Sequence, residues 1–322
     1  MPRSPSTPSN PGRVGVVVPL YQGLDYIDAA LGSVAAQTHQ PADVVVVDDG
    51  SIDGGSDAAE RWADLLPITV VRHEHNQGLP AALRTGIATL GTPLIAQLDA
   101  DDLWLPEHLE MLLAQYDRQP GLISADALRW IPGLSLGRRS WYQRYRVPRP
   151  DDQLASLVAD NWVFGATLLS RDDYDAAGGY RDRISCEDWD LWLRMVRNGV
   201  RVSVPAYPTM LYRLRPGSVS RGDKLYIAQL DILSDFIREA DDPVMQSAAR
   251  SARRAVSARL HLQRAYSLAR ERRRFGARRE AARAVRAASP TAVRAAAILA
   301  LPVSAVKVYD RISSDPRWQV NR

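Results

Sequence analysis

Apolar positions in the first third of the chain fall in short unbroken runs, separated by stretches with helical spacing. Residues 14–19 are an apolar, β-branched run, and a helical pattern follows over 24–36. Residues 44–47 are four consecutive valines that lead into Asp48-Asp49-Gly50-Ser51. A short helical pattern near 56–65 precedes a strand at 68–72. Residues 78–90 again have helical spacing, and 93–98 form a further apolar run that ends in acids. Continuous apolar strands alternating with helices predict a parallel sheet covered on both faces, the doubly wound, Rossmann-like α/β class.

Beyond residue 120 the pattern loosens. Residues 121–180 read as mixed strand and loop, with an Arg/Tyr/Trp/Pro-rich excursion at 138–150 of a length often tied to function. Residues 187–198 predict a helix whose apolar members are Trp189, Leu191, Trp192, Leu193, Met195 and Val196. Residues 200–214 read as paired strands punctuated by Pro205 and Pro208, and from Lys224 the chain turns helical. Residues 250–286 are rich in arginine on an alanine background, with only Glu271 and Glu280 as acids. The expected organisation is a disordered leader over 1–13, an α/β domain over 14–221, and a basic, Ala/Arg-rich helical extension over 222–322.

Composition narrows the class. Of 322 residues 46% are apolar, enough for a sizeable core, and 41 Lys+Arg against 37 Asp+Glu give a formal net charge of +4. Cys186 is the sole cysteine, which excludes an intramolecular disulfide and a Cys-x-x-Cys zinc site. With no signal-peptide pattern in 1–13, the expected location is cytoplasmic. No stretch approaches the roughly 20 uninterrupted apolar residues of a membrane span. The longest candidate, 295–306, is bounded by Arg294 and Lys307 and contains Pro302, so it suits an interfacial helix better than a spanning one. The basic tail therefore has two readings. One is peripheral docking on an anionic membrane surface at the inner face of the cell membrane, with Ile298, Leu299, Leu301, Val303 and Val306 lying on the lipid. The other is a helical packing or oligomerisation module. The first is adopted. Nucleic acid is not an expected partner, because the arginine-rich stretch 250–286 interleaves only Tyr266 and Phe275 as aromatics.

The chemistry gathers where strands end. In doubly wound sheets ligands bind outside the carboxyl ends of the strands, and here those ends carry Pro19-Leu20-Tyr21, Asp48-Asp49-Gly50-Ser51 and Asp99-Ala100-Asp101-Asp102. Five acids at two strand ends repel one another unless a cation or hydrogen-bond donors lie between them. Asp99 and Asp101 suit Mg²⁺ or Mn²⁺, hard cations that take few protein ligands and keep phosphate oxygens; the competing reading is a solvated turn before a helix. Asp48-Asp49 can accept hydrogen bonds from a nucleobase or ribose, or sit at a helix start capped by Ser51 or Asp53. Glu187-Asp188 opens a helix, either as dipole-favoured acids or with Asp188 as a catalytic base. Arg194 can pair with Asp190 or approach a phosphate. Arg213, Arg215, Gly217 and Ser218 form a candidate phosphate clamp.

Taken in order, these segments resemble a family-2 glycosyltransferase of the GT-A fold. The matching residues are Val16-Val17-Val18-Pro19-Leu20-Tyr21, Asp48-Asp49-Gly50-Ser51, Asn76-Gln77-Gly78, Leu98-Asp99-Ala100-Asp101-Asp102, Glu187-Asp188-Trp189-Asp190-Leu191-Trp192-Leu193-Arg194, and Tyr212-Arg213 with Gly217-Ser218. They span about two thirds of the chain. The resemblance implies transfer of a sugar from a nucleotide-diphosphate sugar to a hydroxyl acceptor, a glycan or lipid-linked saccharide, with inversion. It implies that Pro19, Tyr21, Asp48 and Asp49 hold nucleobase and ribose. Asp99 and Ala100 would contact the nucleotide, Asp101 would bind Mg²⁺ or Mn²⁺ with the diphosphate, and Asp188 would be the general base. Glu187, Trp189 and Arg194 are its acceptor and positioning candidates, with core packing the alternative for Trp189. Two departures stand out. Thr85 lies where relatives place Asn, and Arg215 stands where many carry His. Arginine cannot ligate a metal, so Arg215 is expected to neutralise the leaving diphosphate directly.

Two other functions share parts of this pattern. A sugar-nucleotide pyrophosphorylase wants a Gly-rich, basic loop after the first strand, and Leu20-Tyr21-Gln22-Gly23-Leu24 offers one glycine. A catalytically silent sugar-nucleotide or glycan-binding partner of another transferase has no need of Asp99, Asp101 and Asp188 together.

Overall fold

The computed structural model describes residues 14–144, 146–214, 223–271 and 273–286. The leader over 1–13, Arg215 with Gly217 and Ser218, and the apolar segment 295–306 lie outside the described residues.

In chain order the elements begin with β1 (Val14–Leu20), α1 (Leu24–Ala35), β2 (Asp43–Asp48), α2 (Gly55–Glu60), β3 (Ile68–Arg72), α3 (Leu79–Thr89) and β4 (Leu94–Gln97). Next come β5 (Leu103–Trp104), α4 (His108–Arg118), β6 (Leu122–Ser124), β7 (Ala127–Ile131), β8 (Ser135–Ser140), α5 (Trp141–Arg144) and α6 (Gln153–Ala159). They are followed by β9 (Thr167–Ser170), α7 (Arg171–Ala176), α8 (Glu187–Arg197), β10 (Val202–Ser203) and β11 (Met210–Arg213). Three helices close the series: α9 (Asp223–Glu239), α10 (Pro243–Arg270) and α11 (Arg274–Arg286). The chain divides into two compact units. One runs through Ala127 and adds Phe164–Tyr180 and Asn198–Leu211; the other holds Leu128–Val163, Arg181–Arg197 and the chain from Tyr212.

The first unit is built on a seven-stranded sheet of order β10-β6-β9-β4-β1-β2-β3. All pairings are parallel except those of β9, which runs antiparallel to both β4 and β6. The four valines of β2 and those of β1 are fully buried, as a sheet covered on both faces requires. The α3 helix lies against this sheet at Gly86, where an added Cβ would come within 2.3 Å of Val17 Cγ2 and 3.1 Å of Val47 Cγ2. Its glycine is thus a contact requirement rather than a flexible point. The helix expected at 56–65 stops at Glu60. The chain there tightens into i→i−3 turns at Trp62 and Leu65, and the Trp62 indole donates to Asp28 Oδ1 at 3.0 Å. The strands expected to pair within 200–214 do not pair with each other: β10 joins β6 and β11 joins β5.

In the second unit β7 and β8 form an antiparallel hairpin with Trp130 opposite Leu136. The region 138–150, expected as a long loop, contains the end of β8 and the α5 turn. The same unit holds α6, α8 and the three C-terminal helices α9, α10 and α11. Asp242 caps α10 by accepting the Val244 N–H at 2.8 Å, with Pro243 at its first position. An alanine seam joins α10 and α11, where Leu262, Ala265, Ala281 and Ala284 form a buried cluster. The fold is the expected mixed α/β class with a mostly parallel central sheet and a C-terminal helical region.

Candidate functional site

Parallel register aligns three strand ends at one sheet edge. Leu20 lies beside Asp48 and Val17 beside Gln97, so Pro19, Asp48 and Asp99 leave the sheet at the same level. The loops beyond are tied together by main-chain bonds. Asp49 N donates to Leu20 O at 2.8 Å, and Leu98 N to Val17 O at 3.1 Å. The β1–α1 turn adopts positive φ at Gln22 (48°), whose N–H donates to Ser51 Oγ at 2.9 Å, while Leu24 N donates to Asp53 Oδ2 at 2.9 Å. A Cβ on Gly23 would sit 3.8 Å from that of Ala100, so the Tyr21 turn and the Asp99-Ala100-Asp101 turn are neighbours. Tyr21 itself is 53% exposed.

The acids at this edge differ in what they face. Asp49 is 3% exposed and already well used. Its Oδ1 accepts from Gln77 N at 2.9 Å and meets His73 Nδ1 at 2.7 Å, and its Oδ2 accepts from Gly78 N at 2.7 Å. His73 Nε2 in turn lies 3.0 Å from Thr85 Oγ1. Asp49 therefore braces the Asn76-Gln77-Gly78 turn at the start of α3, a role the sequence pattern did not suggest. Gly50, at φ 77°, makes that juncture possible: a Cβ there would fall 2.7 Å from the His75 carbonyl carbon and 2.8 Å from Asn76 N. Asp48 is also buried, and its Oδ1 accepts from Ser51 N at 2.9 Å. Asp99 Oδ1 accepts from Gln97 Nε2 at 3.1 Å, and Gln97 Oε1 accepts from the Tyr180 hydroxyl at 3.0 Å. Asp101 and Ala100 are half-exposed, whereas Asp102 is buried.

The second unit holds the Glu187-Asp188 pair in the first turn of α8. Asp188 Oδ1 accepts from Trp189 N at 2.6 Å, and Oδ2 from Asn161 Nδ2 at 3.4 Å. Burial pushes the Asp188 carboxyl above the usual carboxylate range, against these two donors. Cys186, just before it, has φ 60°, and burial first, then the Asp188 charge, pushes its thiol up to about 12. Trp189 is buried with its indole N–H on the Leu157 carbonyl at 2.8 Å; it packs in the core, and no face of its ring is open to an acceptor. Arg194 takes the first of its two alternatives. It is 5% exposed and donates from Nε at 3.1 Å and from Nη2 at 2.7 Å to Asp190 Oδ2, while Arg183 reaches Asp190 Oδ1 at 2.7 Å. Those charges lock α8 in place. Asn161, Gln97, Tyr180 and His73 were not anticipated. A polar Gln97 inside a buried strand was the one available signal.

The family model described as "Glycosyl transferase family 2" matches residues 15–175, half of the chain. The chain belongs to glycosyl transferase family 2. Among curated proteins it is similar to the amylovoran biosynthesis glycosyltransferase AmsE of Erwinia amylovora, 27% identical over 63% of this chain and 76% of that protein. It is also similar to the succinoglycan biosynthesis protein ExoU of Rhizobium meliloti (strain 1021), 28% identical over 79% of this chain and 76% of that one. Among solved structures it resembles S. aureus TarS 1-349 in complex with UDP-GlcNAc, with TM-score 0.62 and 17% identity over 93% of this chain and 91% of that chain. The mannosyltransferase PcManGT from Pyrobaculum calidifontis, in complex with GDP-Man and Mn²⁺, gives TM-score 0.57 and 21% identity over 95% of this chain and 82% of that chain. These likenesses show the GT-A-type fold.

Among the described residues of this glycosyltransferase, no three His, Cys, Asp or Glu side chains converge as a metal cage. The donor chemistry of Asp99 and Asp101 instead fits a hard divalent cation that keeps most of its coordination for phosphate oxygens and water. No described helix is long and apolar enough to cross a membrane.

Proposed function

We propose that this glycosyltransferase moves a sugar from a nucleotide-diphosphate sugar to a hydroxyl of a glycan or lipid-linked saccharide, with inversion, in the synthesis of a cell-envelope polysaccharide. The observation that carries the reading is Asp188, a half-buried carboxylate in the first turn of α8 held by Trp189 N and Asn161 Nδ2, in a family-2 glycosyltransferase. Burial makes it a better proton acceptor than an ordinary aspartate, which is what a general base near neutral pH requires. The donor class is supported by the nucleotide sugars named in the TarS and PcManGT structures, and the pathway class by the amylovoran and succinoglycan relatives.

Pro19 and the exposed ring of Tyr21 flank the nucleobase, and Asp48 accepts from base or ribose. Asp49 serves the same site by holding the Gln77-Gly78 turn, and Asp99 and Ala100 line the nucleotide. Asp101 would hold Mg²⁺ or Mn²⁺ with the diphosphate; when bound, such an ion neutralises charge that builds on the leaving group. Arg215 acts on the same charge. Asp188 removes the acceptor hydroxyl's proton as that oxygen attacks the anomeric carbon. The bond to the diphosphate breaks with its electron pair going to the leaving oxygen, and attack from the opposite face inverts the centre. Glu187 orients the acceptor, while Trp189 and Arg194 position Asp188 by fixing α8.

A thermal-shift panel of UDP-, GDP- and dTDP-sugars with Mn²⁺ tests the donor site. A ligand at 100 times its Kd stabilises the native state by about 2.7 kcal/mol. One donor should raise the melting temperature, with a metal-dependent part that Asp101→Ala abolishes. No shift with any nucleotide sugar would end the donor reading, and an EDTA-insensitive shift kept in D101A would remove the metal from Asp101.

A further inference from the structure

The arginines of the C-terminal helices are not all accounted for by the fold. Residues 243–286 contain thirteen arginines, no lysine, and two acids, Glu271 and Glu280. Several are neutralised within the second unit: Arg259 lies 3.9 Å from Asp160, Arg264 2.6 Å from Asp223, and Arg283 pairs with Glu280. Arg250, Arg253 and Arg254 differ. They occupy one face of α10 and, with Ser234 and Ile237 of α9, line a cavity of about 370 Å³. Arg253 Nε donates to Ser234 Oγ at 2.9 Å and Arg250 Nη2 to Gln246 Oε1 at 2.8 Å, both neutral partners. Among the described residues no carboxylate pairs with any of the three. All three are exposed. Three like charges around one cavity repel unless an anion enters, and guanidinium forks match phosphate oxygens.

We propose that this α9–α10 groove is a docking surface for the phosphate headgroups of an anionic phospholipid bilayer. Charge complementarity selects a phosphate-bearing ligand. Two features select a bilayer as its source. Ile237 supplies an apolar wall beside the arginines, as at a headgroup–acyl boundary. The sequence then continues into the apolar run 295–306, bounded by Arg294 and Lys307. The sequence expectation of a basic, membrane-facing tail is thereby narrowed to one cavity with named residues. Vesicle binding needs neither donor nor acceptor, so its failure leaves the transferase reading intact.

The experiment is co-sedimentation of the full chain with phosphatidylcholine vesicles with and without 30 mol% phosphatidylglycerol. R253Q/R254Q is compared with R278Q/R279Q, which removes equal charge from two exposed arginines of α11 that have no carboxylate partner among the described residues. An arginine near an anionic surface changes partitioning by about five-fold, so the groove variant should bind roughly 30-fold more weakly. The α11 variant should lose at most a few-fold, and circular dichroism should show both folded. No binding of the native chain to anionic vesicles overturns the proposal, as does equal loss in the two variants, which would mean diffuse charge. Undiminished binding to pure phosphatidylcholine also overturns it. So does a melting-temperature rise with inorganic phosphate, lost in R253Q/R254Q, in a chain that ignores vesicles; the groove would then be a soluble phosphate site.

Discussion

Replacing Asp188 by asparagine separates catalysis from folding. The carboxylate accepts from Trp189 N at 2.6 Å and from Asn161 Nδ2 at 3.4 Å, and its own main-chain N–H also favours the charge. An amide of the same shape keeps its oxygen on Trp189 N. Asn161 Oδ1 is buried with no partner among the described residues, so a flip of that amide preserves one bond between the two side chains. Nothing is cut away, and no cavity opens. What disappears is the ability to take a proton. General-base catalysis contributes about 10²–10⁴-fold, or roughly 3–5 kcal/mol of barrier at 1.36 kcal/mol per decade.

The stability effect has the opposite sign. Burial holds the folded-state pKa of Asp188 above its unfolded value, so the native state favours the protonated form. That preference is fully present below the unfolded pKa and is lost as pH rises through the folded one. Above the folded-state pKa the native chain therefore carries a charge that burial disfavours and that Asp188→Asn removes. The variant should melt at or above the native temperature at pH 8, with the gain shrinking as pH falls toward the ordinary carboxylate range. Assayed with the donor found in the nucleotide-sugar panel, it should show donor affinity within a few-fold of native and turnover at least 100-fold lower. Turnover within ten-fold of native would refute the base assignment. A clear fall in melting temperature at pH 8 would refute the desolvation argument.

Three further outcomes follow from single contacts. Asn161→Ala removes a donor that favours the Asp188 carboxylate, so the acid limb of the kcat/KM profile should move to higher pH while the plateau changes little; an unmoved limb would uncouple the two residues. Gly86→Ala, which in an ordinary helix gains up to about 1 kcal/mol, should instead cost about 1–3 kcal/mol in urea unfolding, because its methyl meets Val17 Cγ2 at 2.3 Å. Asp49→Asn offers one acceptor oxygen to the Gln77 and Gly78 N–H groups and to His73, so a buried donor loses its partner; a loss of about 1–3 kcal/mol is expected, and unchanged stability would mean the brace is dispensable.

The strands and helices that were legible are those whose pattern is local. The valine runs of β1 and β2 have one reading in a doubly covered sheet, and α8 shows its apolar stripe in eleven residues. What depends on distant partners was not legible in local pattern. That β9 runs antiparallel between β4 and β6 is a tertiary fact, as is the separation of β10 from β11 into different pairings. Helix α6 was hidden in residues read as loop, since seven residues give barely two turns of periodicity.

The same distinction explains the site. Acids stand out at strand ends because apolar runs frame them, and their crowding suggested that a cation must offset mutual repulsion. Much of that offset comes from the chain itself. Asp49 is hydrogen-bonded by two main-chain N–H groups and His73, Asp48 accepts from Ser51 N, and Asp99 is held by Gln97, itself oriented by Tyr180. Ser51 and Gln97 are near neighbours of the acids they hold, but the partners of Asp49 lie 24–29 residues away and Tyr180 lies 83 from Gln97, too far for spacing to reveal them. Charge crowding alone is therefore a weaker argument for a metal than it looked. The stronger one is a division of labour along the edge: Asp48 and Asp49 are buried and spent on holding turns, while Asp101 stays half-exposed on a turn that abuts the Tyr21 loop. A carboxylate that must meet an incoming diphosphate has to remain accessible, and one that shapes the approach has to be immobile.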